Sequence, residues 1–241
     1  MAELYYLVII IAVFSVIQSI FGVGVLLFGT PTLLLLEYSY SETLWLLLPC
    51  SVTISLIQVV NGYKLIEAKK RAVYLIIPTL VIGLTLVVTY ANGINITRIV
   101  GVLLLVIGVI RFSSKLQALL ASMVKKNIQM YYAIIGIVHG ISNMGGGPLS
   151  ILMSTIYSKK EIIRANVAFI YLILAIFQLV VLSIISNTSV KSEVMWLIPI
   201  SFVSYIFTSK FISSIVNDKK YTFILNVMIL TYGVLAVLKQ G

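Results

Sequence analysis

The chain has 241 residues, of which 61% are hydrophobic and only 10% charged, against about 25% charged in a soluble domain. Apolar runs able to cross a hydrocarbon core of about 30 Å recur along its whole length, which excludes a soluble globular domain, and the alternating pattern of an outer-membrane barrel is absent. The formal net charge of +10 falls in loops between apolar runs, where it marks a membrane face and not a nucleic-acid partner.

The first apolar segment, 4–36, lacks a small-residue cleavage site and is read as mature chain. Glycines interrupt it at Gly22, Gly24 and Gly29. Thr30 is the expected N-cap of a new half-helix and Pro31 its first-turn residue. Spans at 44–63, 72–90 and 96–112 follow, then a linker over 113–129. The second broken segment, 130–156, contains HGISNMGGGPLS at 139–150. Gly145, Gly146 and Gly147 allow backbone angles closed to other residues and close approach of a ligand. Pro148 fits the first turn of a second half-helix. Spans at 165–186, 193–210 and 221–238 complete the chain. Cys50, the single cysteine, permits neither an internal disulfide nor a thiolate metal site.

Charge placement sets the expected topology. Basic residues cluster at Lys64, Lys69, Lys70 and Arg71, at Arg111, Lys115, Lys125 and Lys126, at Lys159, Lys160 and Arg164, and at Lys210, Lys219 and Lys220. If 130–156 crosses the membrane, the basic residues divide ten to seven between the two faces. If it enters and leaves by one face, fourteen of the seventeen fall on one side. The positive-inside rule selects the second arrangement, with these loops cytoplasmic. Legs of about 12–14 residues then reach roughly 20 Å, past the midplane.

The halves also resemble one another. TPTLLLL (30–36) aligns with GPLSILM (147–153), pairing Pro31 with Pro148. Gln58 pairs with Gln178, Pro78 with Pro199, and Gly108 with Gly233, at separations of 117 to 125 residues. The expected fold is therefore an all-α polytopic membrane protein of two inverted-topology repeats, residues 1–112 and 130–241. Each is a re-entrant broken hairpin followed by three transmembrane helices. In such repeats the substrate site lies at the midplane, where helices are broken.

Two half-helix N-termini near the membrane centre offer free N–H groups and positive dipole ends, a setting for an anion. The expected binding residues are Thr30, Thr32, Gln58, His139, Ser142, Asn143, Gly145, Gly146, Gly147, Ser150 and Gln178. Arg164 and Asn166 are candidates for an inner vestibule. His139 is either a substrate contact or proton carrier, or a packed imidazole. It has no second His, Cys or carboxylate near it in sequence for a metal. All seven acids lie at span ends, so no carboxylate relay crosses the membrane. A nucleophile–base–orienter set is also lacking, which argues against an enzyme.

GVGVLLFGTPTLLL (22–35) and HGISNMGGGPLSIL (139–152) resemble the paired glycine-rich motifs of the sulfite exporter TauE/SafE family, also called the toluene sulfonate uptake permease family. The first motif departs from the usual glycine run, with Val-Leu-Leu-Phe between Gly24 and Gly29. The resemblance implies secondary transport, as an exporter, of small sulfur-containing anions such as sulfite, sulfonates or sulfoacetate. An anion channel and a carrier of a non-sulfur carboxylate are the alternatives. The expected partners are the anion, the lipid bilayer and a proton or sodium ion as coupling ion. No cofactor and no nucleic acid are expected.

Overall fold

The computed structural model describes residues 2–67, 70–90, 95–186, 188–211 and 218–239. Lys69 of the first basic cluster lies outside them. The described residues form helices and no strand: α1 Ala2–Phe21, α2 Val25–Leu35, α3 Tyr40–Gly62, α4 Lys70–Thr89, α5 Ile96–Phe112, α6 Ser114–Lys126, α7 Ile128–Ser142, α8 Gly146–Ile156, α9 Lys160–Ile185, α10 Val194–Phe211 and α11 Asp218–Leu238. In hydrocarbon, backbone polar groups must be satisfied within the segment, and helices do so. By length and composition α1, α3 with the 3-10 turn after it, and α9 can each cross a bilayer alone. Many large apolar side chains stay exposed, among them Ile184, Trp196, Val203 and Phe207. That outward apolar surface suits lipid. The protein is a polytopic helical membrane protein.

Helix ends follow local chemistry. Ser39 and Glu42 form a reciprocal capping box at the start of α3, satisfying two free amides. The side chains of Asn95, Ser113 and Asn127 each accept one free amide at the starts of α5, α6 and α7, without the reciprocal bond. The linker is itself helical. It carries α6, whose axis bends 103° away from α5, with Lys115, Lys125 and Lys126 on a helix that buries only Val124.

Two helix pairs fold back on themselves. Tyr38, just beyond α2, donates to the carboxylate of Glu3 at the start of α1, at 2.7 Å. Partial burial, and then that carboxylate, push the Tyr38 phenol pKa up, so the phenol remains a donor at neutral pH. Tyr131, in the first turn of α7, donates to the carbonyl of Pro148 in α8 at 3.2 Å. Gly24 makes the first reversal possible, since a Cβ there would lie 2.5 Å from the backbone nitrogen of Gln18 and 2.7 Å from the carbonyl oxygen of Phe14.

The longest helix contacts join the two halves of the chain. α4 packs along α7, α1 along α10, α3 along α9 and α5 along α11. Gly136 and Gly140, spaced four apart on α7, bring its backbone onto α4, and a Cβ at either would collide with the carbonyl oxygens of Ile76 and Leu80. This is the small-residue route to close helix approach in membranes. Replacing Gly140 with valine is therefore expected to push α7 away from α4, at a cost of about 1–3 kcal/mol for overpacking. A reduced monodisperse fraction on detergent size-exclusion chromatography is the expected readout, and an unchanged profile and melting temperature would contradict the packing.

Candidate anion site at two helix breaks

α7 stops at Ser142. The next residue, Asn143, adopts a left-handed conformation (φ 61°), which asparagine tolerates better than most residues. Its N–H donates to the carbonyl of His139 at 2.8 Å. Ser142 Oγ donates to Val138 O at 2.6 Å and accepts from the Met144 N–H at 3.2 Å. The first free amide of the next helix, Gly145 N–H, donates to His139 Nδ1 at 3.2 Å. Nδ1 is thus an acceptor, and the proton of the neutral ring lies on Nε2. Gln178 Nε2 approaches His139 O at 3.5 Å. The imidazole is fully buried and meets Tyr171 edge-to-face, with ring centroids 5.7 Å apart.

The first break repeats these bonds with different residues. Gly22 is left-handed (φ 78°), and its N–H donates to Gln18 O at 2.9 Å. Val25 N–H, the first amide of α2, donates to Gln18 Oε1 at 3.0 Å. Gln58 Nε2 approaches Gln18 O at 3.4 Å. Gln18, Gly22, Val25 and Gln58 thus correspond to His139, Asn143, Gly145 and Gln178, 120 or 121 residues later. Sequence reasoning missed Gln18. The signal for it is its distance from the histidine: a lone amide near the end of an apolar helix, 121 residues before His139.

Each half-helix therefore starts inside the protein with its leading amide held by a side chain. Gln18 Nε2, His139 Nε2, Tyr171 Oη, Asn143 Oδ1, Gln58 Oε1 and Gln178 Oε1 are buried at the breaks, and Ser51 Oγ and Ser55 Oγ are buried on α3, all without a hydrogen-bond partner among the described residues. Buried polar groups are normally satisfied. Gln18 Nε2, His139 Nε2 and the Tyr171 hydroxyl are donors, whereas the three amide oxygens are acceptors; free donors beside two helix N-termini suit a small polar ligand of negative charge. No group of three or more His, Cys, Asp or Glu capable of holding a metal ion occurs among the described residues.

Residues 7–236 match the sequence model of the sulfite exporter TauE/SafE family. The chain belongs to the TauE/SafE sulfite exporter family. Its members are membrane transporters, not enzymes. No curated protein and no solved structure matches the chain.

In this TauE/SafE chain the remaining expected site residues divide. Thr30 does not cap a helix: α2 begins at Val25, with Gly24 as its N-cap, and Pro31 lies inside it. The correction has a physical cause, because the cap is Gln18, seven residues upstream and brought back by the turn at Gly22–Gly24. Nor are Pro31 and Pro148 counterparts, since Pro148 is the third residue of α8 and Pro31 the seventh of α2. Thr30 still reaches the site, its Oγ1 accepting from Asn143 Nδ2 at 3.0 Å and joining α2 to the second break. Thr32 Oγ1 instead lies 2.9 Å from the Tyr232 hydroxyl on α11. Gly29 is no break, and it packs on Leu47. Gly146 faces Tyr171 and Gly147 faces Ile107. Ser150 and Arg164 line a cavity at one end of the bundle. Asn166 is buried and binds backbone only: its Oδ1 accepts from Glu67 N, and its Nδ2 donates to Leu65 O and Ile162 O.

Proposed function

We propose that the chain is a secondary transporter that exports small sulfur-containing anions, such as sulfite or a sulfonate, and binds them between the N-termini of α2 and α8. The observation that carries the reading is the matched pair of breaks, each presenting a helix N-terminus beside buried, unpaired donors, in a chain of the sulfite exporter family.

The two halves are read as inverted repeats that move against one another for alternating access. Reciprocal contacts support this symmetry. Gly108 packs on Leu230 while Gly233 packs on Leu105, and both glycines and both leucines are 125 residues apart. The pairing of α4 with α7 and of α1 with α10 is the same contact made twice. Each repeat opens with a hairpin that returns to its own face. The Glu3–Tyr38 and Tyr131–Pro148 bonds support that reading, and the basic loops are then cytoplasmic.

In proteoliposomes, labelled sulfite uptake should saturate with concentration. Replacing Gln58 and Gln178 together by leucine should lower it at least about tenfold, the scale of losing one or two buried hydrogen bonds that hold the capping residues Gln18 and His139 in place. A flux linear in sulfite, or one indifferent to both glutamines, would sink the assignment.

A further inference from the structure

The cavity that reaches Ser150 has a volume of about 310 Å³ and is lined by two arginines, Arg111 from the end of α5 and Arg164 from the start of α9. Each guanidinium is tethered by one neutral partner. Arg111 Nε donates to Asn226 Oδ1 on α11 at 2.6 Å, and Asn226 is itself buried. Arg164 donates to the carbonyl of Ser19, one of the free carbonyls in the last turn of α1 before the first break. Neither arginine pairs with a carboxylate among the described residues. The ion pairs described, Lys191–Glu42 and Lys239–Glu37, lie elsewhere. A guanidinium carries five donors in a fixed fork, so most of both forks is left for another partner. Two half-buried cations that line one cavity with no counter-charge repel one another, and an anion between them relieves that repulsion. A planar fork suits the paired oxygens of an oxyanion. The volume is at the small end for ligand pockets.

We propose that Arg111 and Arg164 form a second anion site, at the cytoplasmic mouth, that takes small doubly charged oxyanions in preference to monoanions. The proposal rests on the transporter reading. It adds a capture step, because the cavity wall includes Val23 of the first break and Ser150 of α8, and so adjoins both half-helices. Anion held there stands next to the helix breaks before the halves move. A lipid phosphate offers the same oxygens, and the test separates the two sources.

The probe is inorganic sulfate on the full chain in neutral detergent, read as a melting-temperature shift against sodium chloride of equal ionic strength. Sulfate should raise the melting temperature saturably, as mass action requires of a ligand of the folded state. Arg111→Gln or Arg164→Gln should weaken sulfate at least about tenfold, the loss of a charge-assisted bidentate contact. The Arg→Lys variants keep the charge and guard against misfolding, and they should restore part of the shift. A sulfate shift that survives both Arg→Gln variants overturns the proposal. So does stabilisation by an anionic phospholipid where sulfate gives none, which would assign the pair to lipid headgroups. Failure of the transporter reading shows separately, as unsaturable sulfite flux with the sulfate shift retained.

Discussion

His139→Gln should transport sulfite within about threefold of the wild-type rate, whereas His139→Ala should lose most activity. The reason lies in the other half of the chain, where a glutamine already does this work. Gln18 Oε1 accepts the leading amide of α2, as His139 Nδ1 accepts that of α8. Both leave one nitrogen donor buried and unpaired, Gln18 Nε2 and His139 Nε2. Glutamine at 139 can reproduce both features. Alanine leaves the Gly145 N–H without its acceptor, at a cost of about 1–3 kcal/mol for a buried unsatisfied group. The melting temperature should fall by several degrees. The same pair of variants decides whether His139 carries a coupling proton. If it does, His139→Gln must change the pH dependence of transport, because an amide does not titrate. The capping geometry instead uses a neutral ring whose Nδ1 is already committed. The expected result is that wild type and His139→Gln share one pH profile. A glutamine variant that folds but no longer transports would place the proton on the histidine.

Much of this arrangement was legible in the sequence, and the exceptions have a common cause. The glycines at 22 and 24 and at 145–147 marked the breaks because an unbroken helix has little use for them. Gln58 and Gln178 stood out as matched amides within apolar spans, and both now approach the carbonyl of the residue that caps a half-helix. Thr30 misled because capping propensity is a local rule. Threonine before proline is a good start signal in isolation, but here the cap comes from Gln18 through a chain reversal that propensity does not see. Gln18 itself was hidden as one polar residue in an apolar helix. The pairing of Arg111 with Asn226 spans 115 residues and has no local signature. In the linker, length and charge were read but the helical period of α6 was not. What escaped was the side-chain partner fixed by tertiary contact.

The correspondence between the breaks makes a stronger demand on packing, through a size exchange. Gly146 follows the capped amide of α8, and a side chain there would collide with the hydroxyl of Tyr171, which is fully buried. At the corresponding places in the first half, 120 residues earlier, stand Leu26 and Ser51, both fully buried. One half thus has a small helix start facing a large residue, and the other a large helix start with a small residue. Gly146→Leu alone should destabilise by overpacking, about 1–3 kcal/mol or more for so direct a clash. Tyr171→Ser alone should open a cavity, at a cost on the scale of about 3–5 kcal/mol for removing a large aromatic. Together they place in the second half the residues that stand at the corresponding positions of the first, and the double variant should be more stable than the sum of the singles predicts. Contacting residues show coupling energies of about 0.5–3 kcal/mol, and this pair should fall at the upper end. Thermal unfolding of the four proteins in one detergent supplies the cycle. Additive losses would mean that the two breaks share their hydrogen bonds but not their packing, and the symmetry would then stop at the backbone.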